Sequence, residues 1–181
     1  MNLKEERIKS DLIYSGKIFN VYRDEVKLPN GRQTYRESID HDGAVAVVPL
    51  DAGDVILVRQ FRYPTGYELL EIPAGKLNNG ENPERCALRE LEEEVGYTAG
   101  KIKKMAEFFL APGYSNELLH LFVAWDLNYG SQKPDDDEFL KIERYPGKNI
   151  LNLVSNGNIR DAKTIIGLYM LMDYMKVMEC T

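Results

Sequence analysis

The chain has 181 residues, of which 44% are hydrophobic and 29% are charged, as in an ordinary globular domain and unlike disordered, collagen-like or coiled-coil chains. Its formal net charge of −6 argues against nucleic-acid binding, which requires a surplus of basic residues. Two cysteines are too few for a disulfide framework. The N-terminus lacks the apolar core of a signal peptide, and no apolar stretch approaches the ~20 residues of a membrane span. We therefore expect a soluble, cytoplasmic protein that binds neither nucleic acid nor membrane.

Residues 1–42 predict a small antiparallel β unit. A strand over 18–28 leads into a Pro-Asn-Gly turn signal at 29–31, and a second strand returns over 34–39. A pair of strands is only marginally stable alone in water, and this segment is short and charged. We therefore expect it to pack either on the rest of the chain or on a second subunit.

Residues 43–181 predict the main domain, because the composition changes at Gly43. Continuous apolar runs, typical of strands covered on both faces, alternate there with turn residues, and two segments show the end signals and periodicity of helices. The predicted strands cover 44–50, 55–58, 68–72, 104–110, 118–126 and 139–143, the predicted helices cover 83–95 and about 161–178, and 74–80 reads as a loop. The pattern favours an α/β (α+β) fold, with a mixed β-sheet sandwiched between helices.

The helix over 83–95 carries an acidic stripe. Glu90, Glu93 and Glu94 fall within an arc of about 100°, so like charges lie three and four residues apart. Carboxylates near a helix C-terminus also oppose the helix dipole, and Arg89 can neutralise one of them but not all three. Oxygen ligands of this kind suit a hard cation such as Mg²⁺ or Mn²⁺. The alternative is a solvated acidic helix face.

The spacing around this stripe decides between the two readings. Residues 75–97 fit the pattern G-x5-E-x7-R-E-U-x-E-E-x-G-U, in which U is a bulky apolar residue. The fixed positions are Gly75, Glu81, Arg89, Glu90, Glu93, Glu94 and Gly96, with Leu91 and Tyr97 at the U positions. This is the Nudix box, and the chain resembles a Nudix hydrolase. Members of that family cleave a nucleoside diphosphate linked to another group, using a divalent metal ion and water.

The flanking segments are similar to the bacterial ADP-ribose pyrophosphatases. They include R-Q-F-R-Y at 59–63, E-I-P-A-G at 71–75 and A-P-G-Y-S-N-E at 111–117. Pro112 stands fifteen residues past Tyr97, where that subfamily carries a marker proline. Tyr114 is instead similar to a residue of dinucleoside polyphosphate hydrolases, but the long N-terminal match favours ADP-ribose.

The resemblance implies roles for the residues of the box. Glu90 and Glu94 would be the principal metal ligands, with the carbonyl of Ala74 completing the set. Glu93 would bind metal directly or through water, and Arg89 would orient the ligands; both count among the catalytic residues. The cofactor would be Mg²⁺, with Mn²⁺ as an alternative.

The subfamily also draws a carboxylate from a loop outside the box, which here is the acidic loop at 135–138. Glu138 is our first candidate for the catalytic base and a further metal ligand, and Asp136 is the second candidate. The alternative for either residue is a solvated acidic loop.

Substrate contacts follow from the same resemblance. Arg36 and Arg62 would bind the adenine and the phosphates, Phe19 would stack on the base, and Glu117 would contact the terminal ribose. Guanidinium groups suit both uses, since they stack on aromatic rings and grip phosphate. The subfamily forms a homodimer in which the N-terminal unit crosses to the other subunit, so residues 1–42 are expected to serve dimerisation as well.

The expected reaction is Mg²⁺-dependent hydrolysis of ADP-ribose to AMP and ribose 5-phosphate. One alternative is the same chemistry on another nucleoside diphosphate derivative, such as a nucleotide sugar or a dinucleoside polyphosphate. A more remote one is a nucleotide sensor without turnover, which the intact glutamates of the box disfavour.

Overall fold

The computed structural model describes residues 2–133 and 138–179. The chain divides into two compact units, one made of the residues up to Gly43 together with Phe108–Leu118, and one made of the remainder. The prediction that residues 1–42 are a dimerisation unit and 43–181 the catalytic domain stays a prediction.

The first unit contains a three-stranded antiparallel sheet, where the sequence predicted only two strands. The strands are β1 (Glu6–Ser15), β2 (Asn20–Lys27) and β3 (Gln33–Asp40), in the order β1-β2-β3. Strand β1 escaped the sequence analysis because irregularities in its pairing interrupt the alternation of side chains and all ten of its residues are exposed. The turn before β3 is the expected one, since Gly31 has a φ of 86° and donates to the carbonyl of Leu28 at 2.8 Å.

The second unit is built on a mixed sheet. Its elements are β4 (Ala44–Asp51), β5 (Asp54–Arg62), β6 (Tyr67–Glu71), β7 (Ala74–Lys76), β8 (Tyr97–Phe109), β9 (Leu118–Tyr129) and β10 (Lys141–Pro146). The main order is β10-β5-β4-β9-β8, with β6 paired to β5 and β7 paired to β4. Strands β4 and β9 are parallel, whereas β4 and β7 are antiparallel. Strand β7 lies inside the segment expected to be a loop, and β8 begins at Tyr97, the last residue of the box, rather than at residue 104.

Helices cover both faces of this sheet, as predicted. They are α1 (Pro83–Val95), the short α2 (Ile150–Ser155), which the sequence analysis missed, and α3 (Ala162–Glu179). One face of α1 buries Leu91 and Val95 in a core with Val47 and Phe122. On α3, Gly167 lies so close to the sheet that a Cβ there would be 3.0 Å from Val48. No helix in the described parts of the chain is long and apolar enough to cross a membrane.

Local signals fix both ends of α1. The side chain of Asn82 accepts hydrogen bonds from the backbone N–H groups of Glu84 and Arg85 at 2.9 and 3.2 Å, and Pro83 occupies the first turn. At the other end Gly96 adopts a φ of 74° and donates to the carbonyl of Glu92 at 2.9 Å. Because these contacts fix where α1 begins and ends, they also determine which of its glutamates lie next to β7.

Candidate active site

Two glutamates of the box are buried against the backbone of β7. The carboxylate of Glu90 lies directly over Gly75, where a Cβ would stand 2.0 Å from the Glu90 Cδ. The backbone N–H of Ala74 donates to Oε2 of Glu94 at 3.2 Å. The structure therefore brings together Ala74, Glu90 and Glu94, three of the five residues that the resemblance assigns to the metal. Their roles as ligands stay predictions.

Burial gives this pair unusual protonation behaviour. It raises the pKa of Glu90 to about 7, against the opposing effect of the neighbouring Arg89. Burial, followed by the charges of Glu90 and Glu138, raises the pKa of Glu94 to about 8. A buried anion is stable only when it is paired, so the protein alone holds protons here near neutral pH. A cation that takes their place would reverse both shifts.

Arg89 lies at the centre of the polar contacts on this helix. Its Nη1 contacts Oε1 of Glu90 and Oε2 of Glu93, each at 2.7 Å. Its Nε and Nη2 donate to the two carboxylate oxygens of Glu81 at 3.1 and 3.2 Å. These bonds hold the pKa of Glu81 at about 2. Arg89 thus contacts two of the three carboxylates of the stripe as well as Glu81. The sequence analysis expected it to neutralise only one carboxylate of the stripe.

Cys86 adds a contact that no motif signals. Its thiol is buried, and its Sγ lies 3.2 Å from Nη2 of Arg89. Burial raises the pKa of this thiol to about 12, so it stays protonated and inert. Cys86 is therefore a packing and hydrogen-bonding neighbour of Arg89.

The C-terminus of α1 holds the segment that leads to the acidic loop. Gln132 donates from Nε2 to the carbonyl of Glu94 at 2.7 Å, and the backbone N–H of Lys133 donates to the carbonyl of Glu93 at 3.0 Å. These bonds satisfy carbonyls that a helix end leaves without partners. A Cβ on Gly96 would stand 2.7 Å from the backbone nitrogen of Gln132, so the box glycine also permits this close approach. Sequence reasoning missed Gln132 and Lys133 because they lie far from the box along the chain.

The two candidates for the catalytic base have different outcomes. Asp136 falls outside the described residues and stays a prediction. Glu138 is described, and its charge raises the pKa of both Glu90 and Glu94, so it lies within electrostatic reach of the buried pair. It also lines a cavity of about 490 Å³ together with Gln132 and Phe139. Its role as base or ligand stays a prediction.

The donor set fits a hard divalent cation. Among the described residues, no three carboxylate, imidazole or thiol side chains lie close enough together to form a metal site by themselves. The buried pair nevertheless offers oxygen donors, and Gly75 leaves space for the Glu90 carboxylate against the backbone. Oxygen donors with few protein ligands are typical of Mg²⁺, which keeps several waters and shares substrate phosphates.

The predicted substrate residues are divided between the two units. Arg62 lies in the second unit, where its charge acts on Glu94 and its guanidinium is hydrogen-bonded to Glu71. Phe19, Arg36 and Glu117 lie in the first unit. Arg36 is exposed, bonds to Glu5 and lines a cavity of about 720 Å³. The assigned contacts of all four residues stay predictions.

Comparison with known proteins identifies the family of the chain. A model of the NUDIX domain matches residues 40–165, and a model described as the nucleoside diphosphate sugar hydrolase N-terminal domain matches residues 5–37. The chain belongs to the Nudix family, as the resemblance predicted, and it is a Nudix hydrolase.

Relatives extend the match to nearly the whole chain. An ADP-ribose pyrophosphatase of Bacillus subtilis is 43% identical over 173 residues, covering 94% of each chain. A GDP-mannose pyrophosphatase of Yersinia enterocolitica is 32% identical, covering 98% of this chain and 97% of its own. A crystal structure of an ADP compounds hydrolase superposes with a TM-score of 0.89 at 24% identity over 98% of both chains, which confirms the fold.

Proposed function

We propose that this chain hydrolyses the diphosphate bond of ADP-ribose to AMP and ribose 5-phosphate, with Mg²⁺ as its cofactor. The observation that carries the proposal is the buried pair Glu90 and Glu94, packed on the backbone of Ala74 and Gly75. Two neighbouring buried carboxylates cost stability, and the contact of Arg89 with Glu90 offsets the charge of one of them. The relative from Bacillus subtilis, named for ADP-ribose, supports the choice of substrate.

Metal binding, proton transfer and positioning are each assigned to particular residues of the chain. Glu90, Glu94 and the Ala74 carbonyl would hold Mg²⁺, which supplies neutralisation of the diphosphate charge and activation of water. Glu138 accepts the proton of the attacking water, whose oxygen forms a new bond to phosphorus as the P–O–P bridge breaks. Arg89 keeps Glu90 and Glu93 in place, and Glu93 would supply a further oxygen ligand to the cation, directly or through water.

We also propose that the active form is a homodimer. Strand β1 is exposed along its whole length and presents Leu12, Ile13 and Tyr14, each more than half exposed. Apolar side chains grouped on one exposed strand are typical of an interface. In such a dimer the first unit would contribute Arg36 on β3 and Phe19, which lies between β1 and β2, to the adenine.

A second candidate substrate is another nucleoside diphosphate derivative. The similarity to a GDP-mannose pyrophosphatase favours a nucleotide sugar, and Tyr114, which lines the cavity of the first unit, was the sequence feature that pointed to dinucleoside polyphosphates. The chemistry of the buried pair is the same for all of them.

A product assay tests the proposal. ADP-ribose, GDP-mannose, diadenosine polyphosphates and NADH are compared by kcat/KM with Mg²⁺, with Mn²⁺ and with EDTA. We expect the highest value for ADP-ribose, AMP and ribose 5-phosphate as products, and no turnover in EDTA. A higher value for GDP-mannose would move the proposal to nucleotide sugars, and turnover in EDTA would refute the metal.

The catalytic base is decided by a matched set of variants. Glu138→Gln is expected to lower kcat by about 10²–10⁴-fold, the usual contribution of a general base. Asp135→Asn in the same acidic loop is the control and leaves kcat within about twofold. If Asp136→Asn lowers kcat and Glu138→Gln does not, Asp136 is the base.

A further inference from the structure

An ion cluster lies where β6 leads toward β7. Glu71, at the end of β6, accepts hydrogen bonds from Nε and Nη2 of Arg62, each at 2.8 Å. It also pairs with Nζ of Lys163 on α3, which contacts Asp161 at 3.0 Å. We call Arg62, Glu71, Asp161 and Lys163 the Glu71 cluster. Burial alone raises the pKa of Glu71, but the bonds from Arg62 and the charge of Lys163 bring it below its usual value, so the carboxylate is ionised.

The members of the Glu71 cluster differ in their exposure to solvent. The side chain of Glu71 is 1% exposed, those of Lys163 and Asp161 are 12% and 17% exposed, and that of Arg62 is 40% exposed. Two cations and two carboxylates leave no net charge in the cluster. The cluster as a whole therefore does not attract anions. Its most exposed group is the guanidinium of Arg62, which Glu71 holds in one orientation.

Backbone contacts hold the cluster in place. The hydroxyl of Thr164 accepts a hydrogen bond from the backbone N–H of Ile72 at 2.9 Å and donates to Asp161 at 2.6 Å. These bonds fasten the end of β6 to the start of α3. Ile72 lies two residues before Ala74, so the same contacts fix the approach to the metal site.

The remaining edge of Arg62 is placed to act on a substrate. The bonds to Glu71 use two of the five N–H groups of a guanidinium, and the charge of Arg62 acts on Glu94 from the neighbouring site. A guanidinium held on one edge by a carboxylate keeps its other edge ready for a phosphate, because less side-chain freedom is lost on binding.

We infer that Glu71 is a positioning residue, which with Lys163 behind it holds the guanidinium of Arg62 toward the substrate diphosphate beside Glu94. The inference rests on the proposed function, since it requires a diphosphate substrate. Glu71 then affects the affinity for substrate through Arg62 and does not affect the affinity for the metal ion.

The test is a double-mutant cycle with Glu71→Gln and Arg62→Met. A glutamine amide cannot accept from both N–H groups of Arg62, so Glu71→Gln is expected to raise KM about 10–100-fold, the effect of losing a charged hydrogen bond, with Mg²⁺ affinity within about twofold. In the Arg62→Met background the same substitution should add less than about twofold to KM. Additive effects, or an unchanged KM, would overturn the inference.

The chain offers a matched control on the same strand. Arg59 on β5 bonds to Glu143 through Nε and Nη2 at 2.9 and 3.1 Å, the same geometry as Arg62 and Glu71. Glu143→Gln should leave KM within about twofold. A rise equal to that of Glu71→Gln would show a general effect of breaking an ion pair in this sheet and would overturn the inference.

Two further measurements keep the inference testable if Glu71→Gln does not fold. Lys163→Gln should raise KM by a smaller factor, and an unchanged KM would refute the role of Lys163. In the substrate-free protein, the Nε–H proton of Arg62 should exchange slowly in NMR spectra and faster in Lys163→Gln; rapid exchange in the wild type would refute the fixed guanidinium. This measurement needs no turnover, so it separates failure of the inference from failure of the proposed function. KM is measured with whichever nucleoside diphosphate derivative the wild type cleaves best.

Discussion

Replacing Glu94 by glutamine should have opposite effects on stability and on activity. Glu94 is buried, and its pKa stands at about 8 because of burial and the charges of Glu90 and Glu138. Glutamine keeps the shape and an acceptor for the Ala74 N–H, but it carries no charge at any pH. The substitution therefore isolates the effect of the buried charge.

The magnitude follows from proton linkage. Below pH 4.5 the carboxyl of Glu94 is protonated in both states, and it does not affect the free energy of unfolding. As the pH rises to about 8, the unfolded chain releases this proton while the folded protein keeps it, so stability falls by about 1.4 kcal/mol per pH unit. The loss over that window is on the order of 5 kcal/mol and is complete above pH 8. In a domain of this size it corresponds to a Tm decrease on the order of 10 °C.

The assay is thermal unfolding of the wild type and Glu94→Gln in EDTA between pH 5 and pH 8. We expect similar Tm values at pH 5 and a higher Tm for the variant at pH 8, whereas its kcat with Mg²⁺ falls by about 10²–10³-fold. The control is Glu92→Gln, since Glu92 is 43% exposed and pairs with Lys133 at 3.0 Å. A Tm difference that does not change with pH, or near-full activity of Glu94→Gln, would refute the reasoning.

Three more predictions follow from the described contacts. Binding of Mg²⁺ at pH 7 should release protons from Glu90 and Glu94, so calorimetric enthalpies should depend on the buffer at pH 7 and lose that dependence at pH 9, where both are ionised; buffer independence at pH 7 would contradict the raised pKa values. Ile13→Asp on exposed β1 should convert dimer to monomer in sedimentation experiments and raise KM more than it lowers kcat, and a variant that remained dimeric would exclude this strand from the interface. Cys86 should resist alkylation by iodoacetamide at pH 8 in the folded protein and react after unfolding, as mass spectrometry of the labelled peptide would show; rapid labelling of the native protein would contradict its burial.

The sequence predicted those parts of the fold that local signals specify. Asn82, Pro83 and Gly96 define the ends of α1 with contacts inside a few residues, and the apolar run of β4 reads as a strand without its neighbours. Strand β1 has no such signal, because its side chains are exposed and its pairing is irregular. Strand β7 is three residues long and exists through its pairing with β4.

The candidate site divides in the same way. The box glutamates and Arg89 were found because helical spacing and a fixed pattern place them on one face. Gln132 and Lys163 were not found, since each meets its partner across a long separation in sequence, Gln132 at the end of α1 and Lys163 at Glu71. Such pairs depend on sheet topology, which a single sequence does not encode locally.

The close approach of Glu90 to Gly75 has a consequence for engineering. A single added methyl group at position 75 would overlap the carboxylate, yet it would change no charge and no predicted substrate contact. Alanine at this position would therefore require the Glu90 carboxylate to move away from the backbone of β7, so shape alone couples residue 75 to the acidic stripe of α1. Variants at position 75 therefore probe the placement of the Glu90 carboxylate without removing any carboxylate or arginine of the box.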